Sequence, residues 1–451
     1  MCFPTSSPSF AVWPSHEKVH RSKARRVAQE KRMSHAWRAL RHRNFQLFIT
    51  GQGISLIGSW MTRLATGWLV YRLTQSALLL GVVSFASQIV PFLLGPIAGV
   101  WVERLDRRNL LLVTQAAACV QSLALAALTL THRITLWEII ALSAAQGLIN
   151  AFDMPARHSF LIQMVEDRSD LSSAIAINSA MTNGTRLVGP AIAGLVIAAA
   201  GEGWCFLVDG VSYFAVIASL LLMSVRPSAA TEIRQSMLEE IREGWSYVRA
   251  SIPIRMILLF FMWISLMGYP YMVLMPVFAA QMLRGGAHTL GWLTCASGVG
   301  ALLSAVWLAS RKEAVAVIRA FPAAGATLGL ALVLFGLSHT LWVSLFVLVF
   351  AGFGLMQVAS ASNSVIQALV HDDKRARVMS YYAMAFFGAA PIGSILAGAV
   401  AHRVGAPLTI VGTGVFCLAG SSWFALRLKK IRAAASAIHQ SFGYLSSNVS
   451  A

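Results

Sequence analysis

Three ionisable side chains lie inside long apolar stretches of this sequence, where a charge is costly unless it is paired or serves a function. Arg63 and Asp209 fall at similar depths in their stretches, so we expect them to form an ion pair. Arg186 has no acidic residue at its own level. It is a candidate to bind an anionic group or to sense a nearby protonation, and bonding to helix ends is the alternative. Asp153 and Asp209 are the candidate proton carriers.

Polar residues also recur at helical spacing in four of the apolar stretches. At about 100° per residue each set falls on one face of a helix, and because lipid cannot satisfy such groups, they must face another helix or water. Hydrogen bonds between helices could explain one or two sets, but four together predict a wet central cavity. The predicted cavity residues are Gln52, Ser55, Ser59, Arg63, Gln146, Asn150, Asn183, Arg186, Tyr269 and Gln357. Aromatic surface for an organic substrate could come from Trp60, Trp263 and Tyr271.

The composition identifies the surroundings of these stretches. Hydrophobic residues make up 57% of the 451 residues and charged residues 12%, which excludes an ordinary soluble surface. An apolar run of about 18 residues or more crosses lipid as a helix, since its backbone groups must bond within the segment. The sequence therefore predicts an all-α integral membrane protein with twelve transmembrane helices. The predicted spans are 45–71, 77–102, 109–131, 134–152, 171–201, 203–225, 256–283, 285–310, 314–338, 340–363, 378–402 and 404–426.

The basic residues predict the orientation. Thirty of the 36 lysines and arginines lie in the N-terminal segment, the even-numbered connections and the C-terminal tail, against four in the odd-numbered connections. By the positive-inside rule, we expect a multi-pass protein of a bacterial inner membrane with both termini in the cytoplasm. The net charge of +18 serves this topology and anionic lipid, so we expect no nucleic-acid partner. No signal peptide precedes Phe45, and translation could start at Met1 or at Met33.

A shift of 204 residues aligns the two halves of the chain. The aligned glycines are Gly184 with Gly388, Gly189 with Gly393, Gly194 with Gly398, and Gly201 with Gly405. Such a parallel repeat is typical of rocker-type carriers, although glycines that only pack helices are the simpler interpretation. The predicted organisation is a basic, partly disordered N-terminal segment (1–44), a six-helix bundle (45–225), a linker helix (226–255), a second six-helix bundle (256–428) and a cytoplasmic tail (429–451).

Catalytic chemistry has no recognisable pattern in this sequence. No cluster of His, Cys or carboxylates has the spacing of a metal site or an activated nucleophile, and no phosphate-binding glycine-rich loop is followed by Lys. We therefore expect no enzymatic activity, no metal and no organic cofactor. The alternative from another class is a membrane enzyme or a sensor that does not transport.

The segment from Gly99 to Arg108, between spans 2 and 3, resembles the signature loop of the major facilitator superfamily, Gly-x-x-x-Asp-Arg-x-Gly-Arg-Arg. It departs from that loop by Glu103 in place of Asp and Asp106 in place of Gly. The resemblance implies a cytoplasmic gate formed by Gly99, Glu103, Arg104, Arg107 and Arg108. Glu103 would favour the N-terminus of span 11, and the arginines could pair with Asp153 or with loop carboxylates across the halves. The alternative is that these arginines only enforce topology.

A second motif, Gly189, Pro190 and Gly194, resembles the helix-5 motif that is common in exporters of that superfamily. Four shorter segments resemble the branch that contains the enterobactin exporter, often labelled transmembrane secretion effector. They are Leu40 to Phe45, Gly58 to Arg63, Phe152 to Arg157 and Arg375 to Ser380. The resemblance implies two pseudo-symmetric six-helix bundles and proton-driven export by alternating access.

The sequence thus predicts a proton-coupled secondary transporter that exports a siderophore-like or drug-like molecule. Its expected partners are the small-molecule substrate and the lipid bilayer, and we expect a monomer. A translocator of lipid or lysophospholipid is the alternative within transport, favoured if the cavity opens sideways and is mostly apolar.

Overall fold

The computed structural model describes residues 38–165, 170–224, 237–311, 315–371 and 374–449, and its secondary structure within them is helical. After a 3₁₀ turn at Arg38–Arg41, the helices are α1 (Arg43–Thr74), α2 (Ala77–Arg104), α3 (Arg107–Leu130), α4 (Leu136–Gln163), α5 (Leu171–Ala200), α6 (Glu202–Leu222), α7 (Met237–Ala250), α8 (Ile252–Gly268), α9 (Pro270–Val277), α10 (Ala287–Ala309), α11 (Ala320–Gly336), α12 (Leu341–Leu369), α13 (Arg375–Val404) and α14 (Ala406–Val449). A π-helical turn, Phe278–Met282, continues α9, and a 3₁₀ turn, Val315–Arg319, precedes α11.

Most of these helices match the predicted spans. By length and composition, ten helical segments among the described residues are suited to crossing a membrane, with α8, α9 and the π turn together forming one of them. Helices α1 and α4 are not among the ten. Both carry predicted polar stripes, and polar residues lower the hydropathy of a span. The count of twelve crossing helices therefore stays a prediction for α1 and α4.

The ends of the chain and its linker differ in detail from the predicted organisation. The predicted linker helix is α7, and the following helix begins at Ile252 rather than at residue 256. Helix α14 continues through most of the predicted tail, to Val449. The predicted disorder of the N-terminal segment and the alternative start at Met33 concern residues 1–37, which lie outside the described residues.

Glycines that are 204 residues apart occupy matching places in the two halves. Gly201 and Gly405 both end a helix with positive φ, 91° and 90°, a conformation that strains residues with a side chain. A Cβ atom at Gly194 would lie 3.0 Å from the carbonyl oxygen of the first residue of α10. A Cβ atom at Gly398 would lie 2.7 Å from that of the first residue of α2. The two halves therefore pack against each other through pseudo-symmetric pairs of helices, α5 with α10 and α13 with α2.

These close approaches lie toward one end of the bundle. We call the end that carries α7 the linker end, and the opposite end the far end. Helices α2 and α10 begin at the far end, so Gly194 and Gly398 join the halves there. A third approach brings a Cβ position at Gly67 within 3.7 Å of Pro276, between α1 and α9. The halves are thus held together at the far end.

Candidate functional site

One turn of α1 presents two different sets of side chains to its neighbours. Ser59 and Thr62 face α6, and Gly58 allows that approach, since a Cβ atom there would lie 2.7 Å from Oδ1 of the carboxylate on α6. Trp60 and Arg63 lie toward α5 instead, where the Trp60 ring is 5.6 Å from a guanidinium carbon. The segment from Gly58 to Arg63 therefore connects two sites through a single helical turn.

The first site is the Asp209 pocket, formed by Asp209, Ser59, Thr62 and Ser122. The carboxylate is 2% exposed and accepts hydrogen bonds from Ser122 Oγ at 2.6 Å, Thr62 Oγ1 at 2.8 Å and Ser59 Oγ at 3.4 Å. Among the residues that the structure describes, none with a positive charge pairs with it. The predicted ion pair between Arg63 and Asp209 is therefore wrong. Hydroxyl groups from two neighbouring helices, α1 and α3, hold this carboxylate.

The second site is the arginine–tryptophan cluster, formed by Trp60, Arg63, Arg186 and Met272. The guanidinium carbons of Arg63 and Arg186 lie 4.8 and 5.6 Å from the centre of the Trp60 ring. Arg186 also donates weakly to Met272 Sδ at 3.9 Å. Two cations thus share one aromatic ring, which can attract each of them through its π-electron face.

Helix α5 places Arg186 on a face that is open. Ser179 is exposed, while Asn183 and Arg186 on the same face are half-buried. At about 100° per residue, a position nine residues further along the helix points to the opposite side. The positions nine residues after Ser179, Asn183 and Arg186 form an apolar face. Its exposed residues are Val188, Ile192 and Leu195. A helix with an apolar outer face and an accessible polar face has lipid on one side and a polar cavity on the other.

Three predicted cavity residues do not line open space in this structure. Gln52 and Ser55 of α1 and Gln357 of α12 are all buried, with 1–2% of their surface exposed. Gln357 Oε1 accepts a hydrogen bond of 2.8 Å from Ser304 on α10, within the second half. These side chains are therefore packed between helices, as hydrogen bonding between helices alone would explain.

Other predicted cavity residues are half-buried and remain accessible. Gln146 donates to Asn150 at 3.2 Å along α4, and Asn183 donates to the Ser179 carbonyl at 2.9 Å along α5. The Tyr269 ring meets Phe386 edge-on at 5.6 Å.

Two of the predicted aromatic residues have hydrogen-bond partners in the second half. The indole nitrogen of Trp263 donates to the Phe416 carbonyl at 2.9 Å, between α8 and α14 of the second half. Tyr271 is fully buried and bonds Ser297 at 2.6 Å. Both side chains bond within the second half, and the fully buried Tyr271 offers no surface to a cavity, contrary to its predicted role.

Asp153 is bonded by residues of its own helix and of α3. It forms an ion pair with Arg157, one turn along α4, and accepts hydrogen bonds from Gln115 at 2.7 Å and Thr114 at 3.1 Å. Arg107 and Arg108 therefore do not make the expected pairing with Asp153, whereas the pairing with Arg104 stays a prediction because that side chain lies outside the described part of the structure. Its carboxylate has a permanent cationic partner, unlike that of Asp209.

The predicted gate is described only in part. Gly99, Glu103 and Arg104 lie on α2, but their side chains are outside the described part of the structure. Arg108 donates to the carbonyl oxygens of Leu220 at 2.8 Å and Leu221 at 3.0 Å. A cation here complements the C-terminal end of α6. This contact lies within the first half, whereas a gate would require a contact that crosses to the second half.

At the linker end, α7 is attached to the second half. Glu243 forms ion pairs with Lys374 and Arg377 at the start of α13, and the Trp245 ring lies 5.9 Å from that of Tyr381. The hydrogen bond from Lys374, with Arg377 beside it, holds the pKa of the Glu243 carboxyl below its ordinary value. The linker helix is thereby joined to the helix that contacts α2 across the two halves.

The helix-5 motif has a packing role in this structure. A Cβ atom at Gly189 would lie 2.5 Å from the Trp60 Cβ, and the Cβ position at Gly291 of α10 lies 2.8 Å from the Pro190 carbonyl oxygen. Together with Gly194, these residues let α5 approach α1 on one side and α10 on the other. Within the described ranges, no group of three His, Cys, Asp or Glu residues could hold a metal ion.

Two pseudo-symmetric helical halves with a charged, accessible site between them define a secondary transporter of the major facilitator superfamily. The chain belongs to the family described as transmembrane secretion effector, which it matches over residues 34–447. It is similar to the staphyloferrin A transporter of Staphylococcus aureus, with 23% identity over 388 residues, covering 85% of this chain and 97% of that one. It is also similar to the multidrug efflux pump Tap of Mycolicibacterium fortuitum, with 25% identity over 362 residues, covering 78% and 88%.

The fold is similar to that of a bacterial homologue of the human lysosomal transporter Spinster, solved in an inward-facing and unoccupied conformation. The TM-score is 0.65 at 13% sequence identity, and the match covers 87% of this chain and 98% of the other. At this identity the likeness concerns the fold alone. The chain is therefore a multi-pass membrane transporter.

Proposed function

We propose that the protein is a proton-driven exporter of a small organic molecule and that Asp209 carries the coupling proton. The observation that supports this most is the Asp209 pocket. A buried carboxylate held only by hydroxyl groups has no permanent counter-charge, so binding a proton is its simplest route to neutrality. Asp153, the other predicted carrier, is already neutralised by Arg157.

The coupling follows from the turn of α1 that the two sites share. An ionised Asp209 accepts hydrogen bonds from Ser59 and Thr62, whereas a protonated one must donate a hydrogen bond itself. Protonation therefore weakens the attachment of α1 to α6. Because the next residues on that turn are Trp60 and Arg63, any shift of α1 changes the arginine–tryptophan cluster. Proton and substrate thus act on the same helix.

The distribution of basic residues supports an orientation with the linker end in the cytoplasm. In this orientation the far-end contacts between the halves lie at the outer side, which supports a state open toward the cytoplasm. A monomer in a bacterial inner membrane then exports by passing to the opposite state. The relatives carry a siderophore, staphyloferrin A, or several drugs, and we propose cargo of these classes.

A flux assay in inverted vesicles tests the proposal. Vesicles with an acidic interior are supplied with a carboxylate siderophore, a macrolide and a fluorescent drug. Accumulation of at least one compound should require the protein and should stop when an ionophore removes the pH gradient. Uptake that does not change without the gradient would contradict proton coupling, and no uptake of any compound would contradict export of these classes.

A further inference from the structure

Within the described part of the chain, the two arginines near Trp60 have no acidic partner. Arg63 and Arg186 come from different helices and lie 4.8 and 5.6 Å from the same ring centre. Neither forms an ion pair with a carboxylate of the described ranges, because Asp209 is bonded by hydroxyl groups and Glu202 binds Arg72 at 2.8 Å. The cluster therefore holds two positive charges and no negative one.

Such an arrangement is costly inside a membrane protein. Like charges repel where the dielectric constant is low, and the half-buried guanidinium of Arg186 also loses hydration. The Trp60 ring offsets part of this cost, on the order of 2 kcal/mol for a desolvated cation, and the sulfur of Met272 is a weak acceptor. An anion bound between the two guanidinium groups would remove the repulsion and supply the missing acceptors.

The other arginine–tryptophan pairs of the described chain differ from this cluster. Arg311 lies 4.5 Å from the ring centre of Trp307, and Arg427 lies 4.5 Å from that of Trp423. Each of these rings has one cation, and Arg311 and Arg427 are both exposed. One arginine on one tryptophan ring therefore occurs twice in the described chain, whereas the Trp60 ring has two arginines.

Access to the cluster is provided by the polar face of α5. Arg186 is half-buried, so part of its surface stays accessible. Tyr269 and Tyr271 are near enough to interact with it electrostatically, and Tyr269 and Met272 are half-buried. The surroundings of the two cations thus include aromatic and thioether groups.

From this geometry, and resting on the proposed function, we propose that the exported molecule is an organic anion. Its carboxylate groups bind Arg63 and Arg186, whose planar guanidinium groups match carboxylates through paired hydrogen bonds. Its apolar body lies on Trp60 and Met272. A cationic or neutral cargo would leave the two arginines unpaired.

Binding to the purified protein tests this independently of transport. The probes are naphthalene-2,6-dicarboxylate and its neutral diamide, which share a shape and differ in charge. Calorimetry in nanodiscs of zwitterionic lipid at pH 7 measures the ratio of the two dissociation constants. The dicarboxylate should bind at least about tenfold more tightly, as expected for one or more charge-assisted contacts. Equal affinity of the two probes would overturn the proposal.

Variants locate the site. Arg63→Gln and Arg186→Gln should each lower the ratio about tenfold, Arg63→Lys and Arg186→Lys should retain part of it, and Arg311→Gln is the matched control that keeps it. Because both dissociation constants are measured on the same sample, a fraction of inactive protein affects them equally and cancels from their ratio. If Arg186→Gln fails to fold, the ratio measured for Arg63→Gln decides the outcome, because Arg63 is exposed and its replacement should be tolerated. A ratio that stays unchanged in Arg63→Gln, or falls equally in Arg311→Gln, would overturn the assignment.

The same measurement separates this proposal from that of proton-driven export. No gradient is present in the binding assay, so the ratio does not depend on coupling. A normal ratio together with absent vesicle transport would contradict the export proposal and support the anion site. Transport of a compound together with equal binding of the two probes would contradict the anion site and leave export standing.

Discussion

Replacing Asp209 by Asn should separate transport from the proton gradient. The side chain keeps its size, and its amide group can still bond the hydroxyl groups of Ser59, Thr62 and Ser122, which donate or accept equally well. The variant cannot bind or release a proton. Substrate should therefore still cross the membrane, but only down its own concentration gradient.

The size of the effect follows from a single carboxylate in the Asp209 pocket. One proton moving across a pH difference of one unit releases about 1.4 kcal/mol, which supports a substrate gradient of about tenfold. Vesicles of the wild-type protein should thus accumulate substrate about tenfold for each pH unit. Vesicles of Asp209→Asn should reach equal concentrations on both sides at any pH difference.

The assay compares initial and final uptake of a carboxylate siderophore in inverted vesicles at imposed differences of zero, one and two pH units. Glu138→Gln is the control, because Glu138 caps α4 at the far end, where it bonds the Thr135 backbone at 2.7 Å. Equal insertion and thermal stability of the variants must be shown. Gradient-dependent accumulation by Asp209→Asn equal to that of the wild type would refute the assignment of the proton site.

Three further predictions concern packing and charge. Gly189→Ala should destabilise the protein by about 1–3 kcal/mol and slow transport, because its Cβ atom would meet Trp60 at 2.5 Å. Gly184→Ala is the control, since nothing lies within 4 Å of a Cβ atom there, and it should change neither the thermal unfolding nor the rate of uptake. Arg108→Ala should lower the free energy of unfolding by about 1 kcal/mol through two lost bonds to α6, and an unchanged melting temperature would contradict this. Because the pKa of Glu243 is lowered, its ion pairs persist above the ordinary carboxyl range and are lost as the pH falls through the lowered pKa, so acid should release α7 from α13. Glu243→Gln should release α7 at neutral pH, as measured by spin-label distances between α7 and α13. If α7 stays docked in this variant, these ion pairs do not hold it.

The fold could be predicted from the sequence because hydropathy and glycine spacing report directly on membrane spans and close helix packing. The repeat of 204 residues is visible in the contacts of Gly194 and Gly398. Helices α1 and α4 are also predicted as spans but are less apolar than the ten other spans, since polar residues lower the apolar content of a helix.

The direction of individual side chains could not be predicted. Equal depth suggested a pair of Arg63 with Asp209, but depth leaves rotation about the helix axis undetermined, and Thr62 faces the carboxylate instead. For the same reason, helical spacing predicts that Gln357 faces water, whereas its side chain bonds Ser304 of α10. The sequence reasoning also missed Ser122, whose only signal is a small polar residue in an apolar span.

In the proposed state, α5 separates lipid from a polar cavity open toward the cytoplasm, so its two faces should differ in their access to water. Ser179→Cys and Ile192→Cys, each in a protein whose native cysteines are replaced, place one thiol on each face of the helix. A membrane-impermeant maleimide added from the cytoplasmic side should label Ser179→Cys and leave Ile192→Cys unlabelled. Equal labelling of both positions, or none at Ser179→Cys, would contradict the claim.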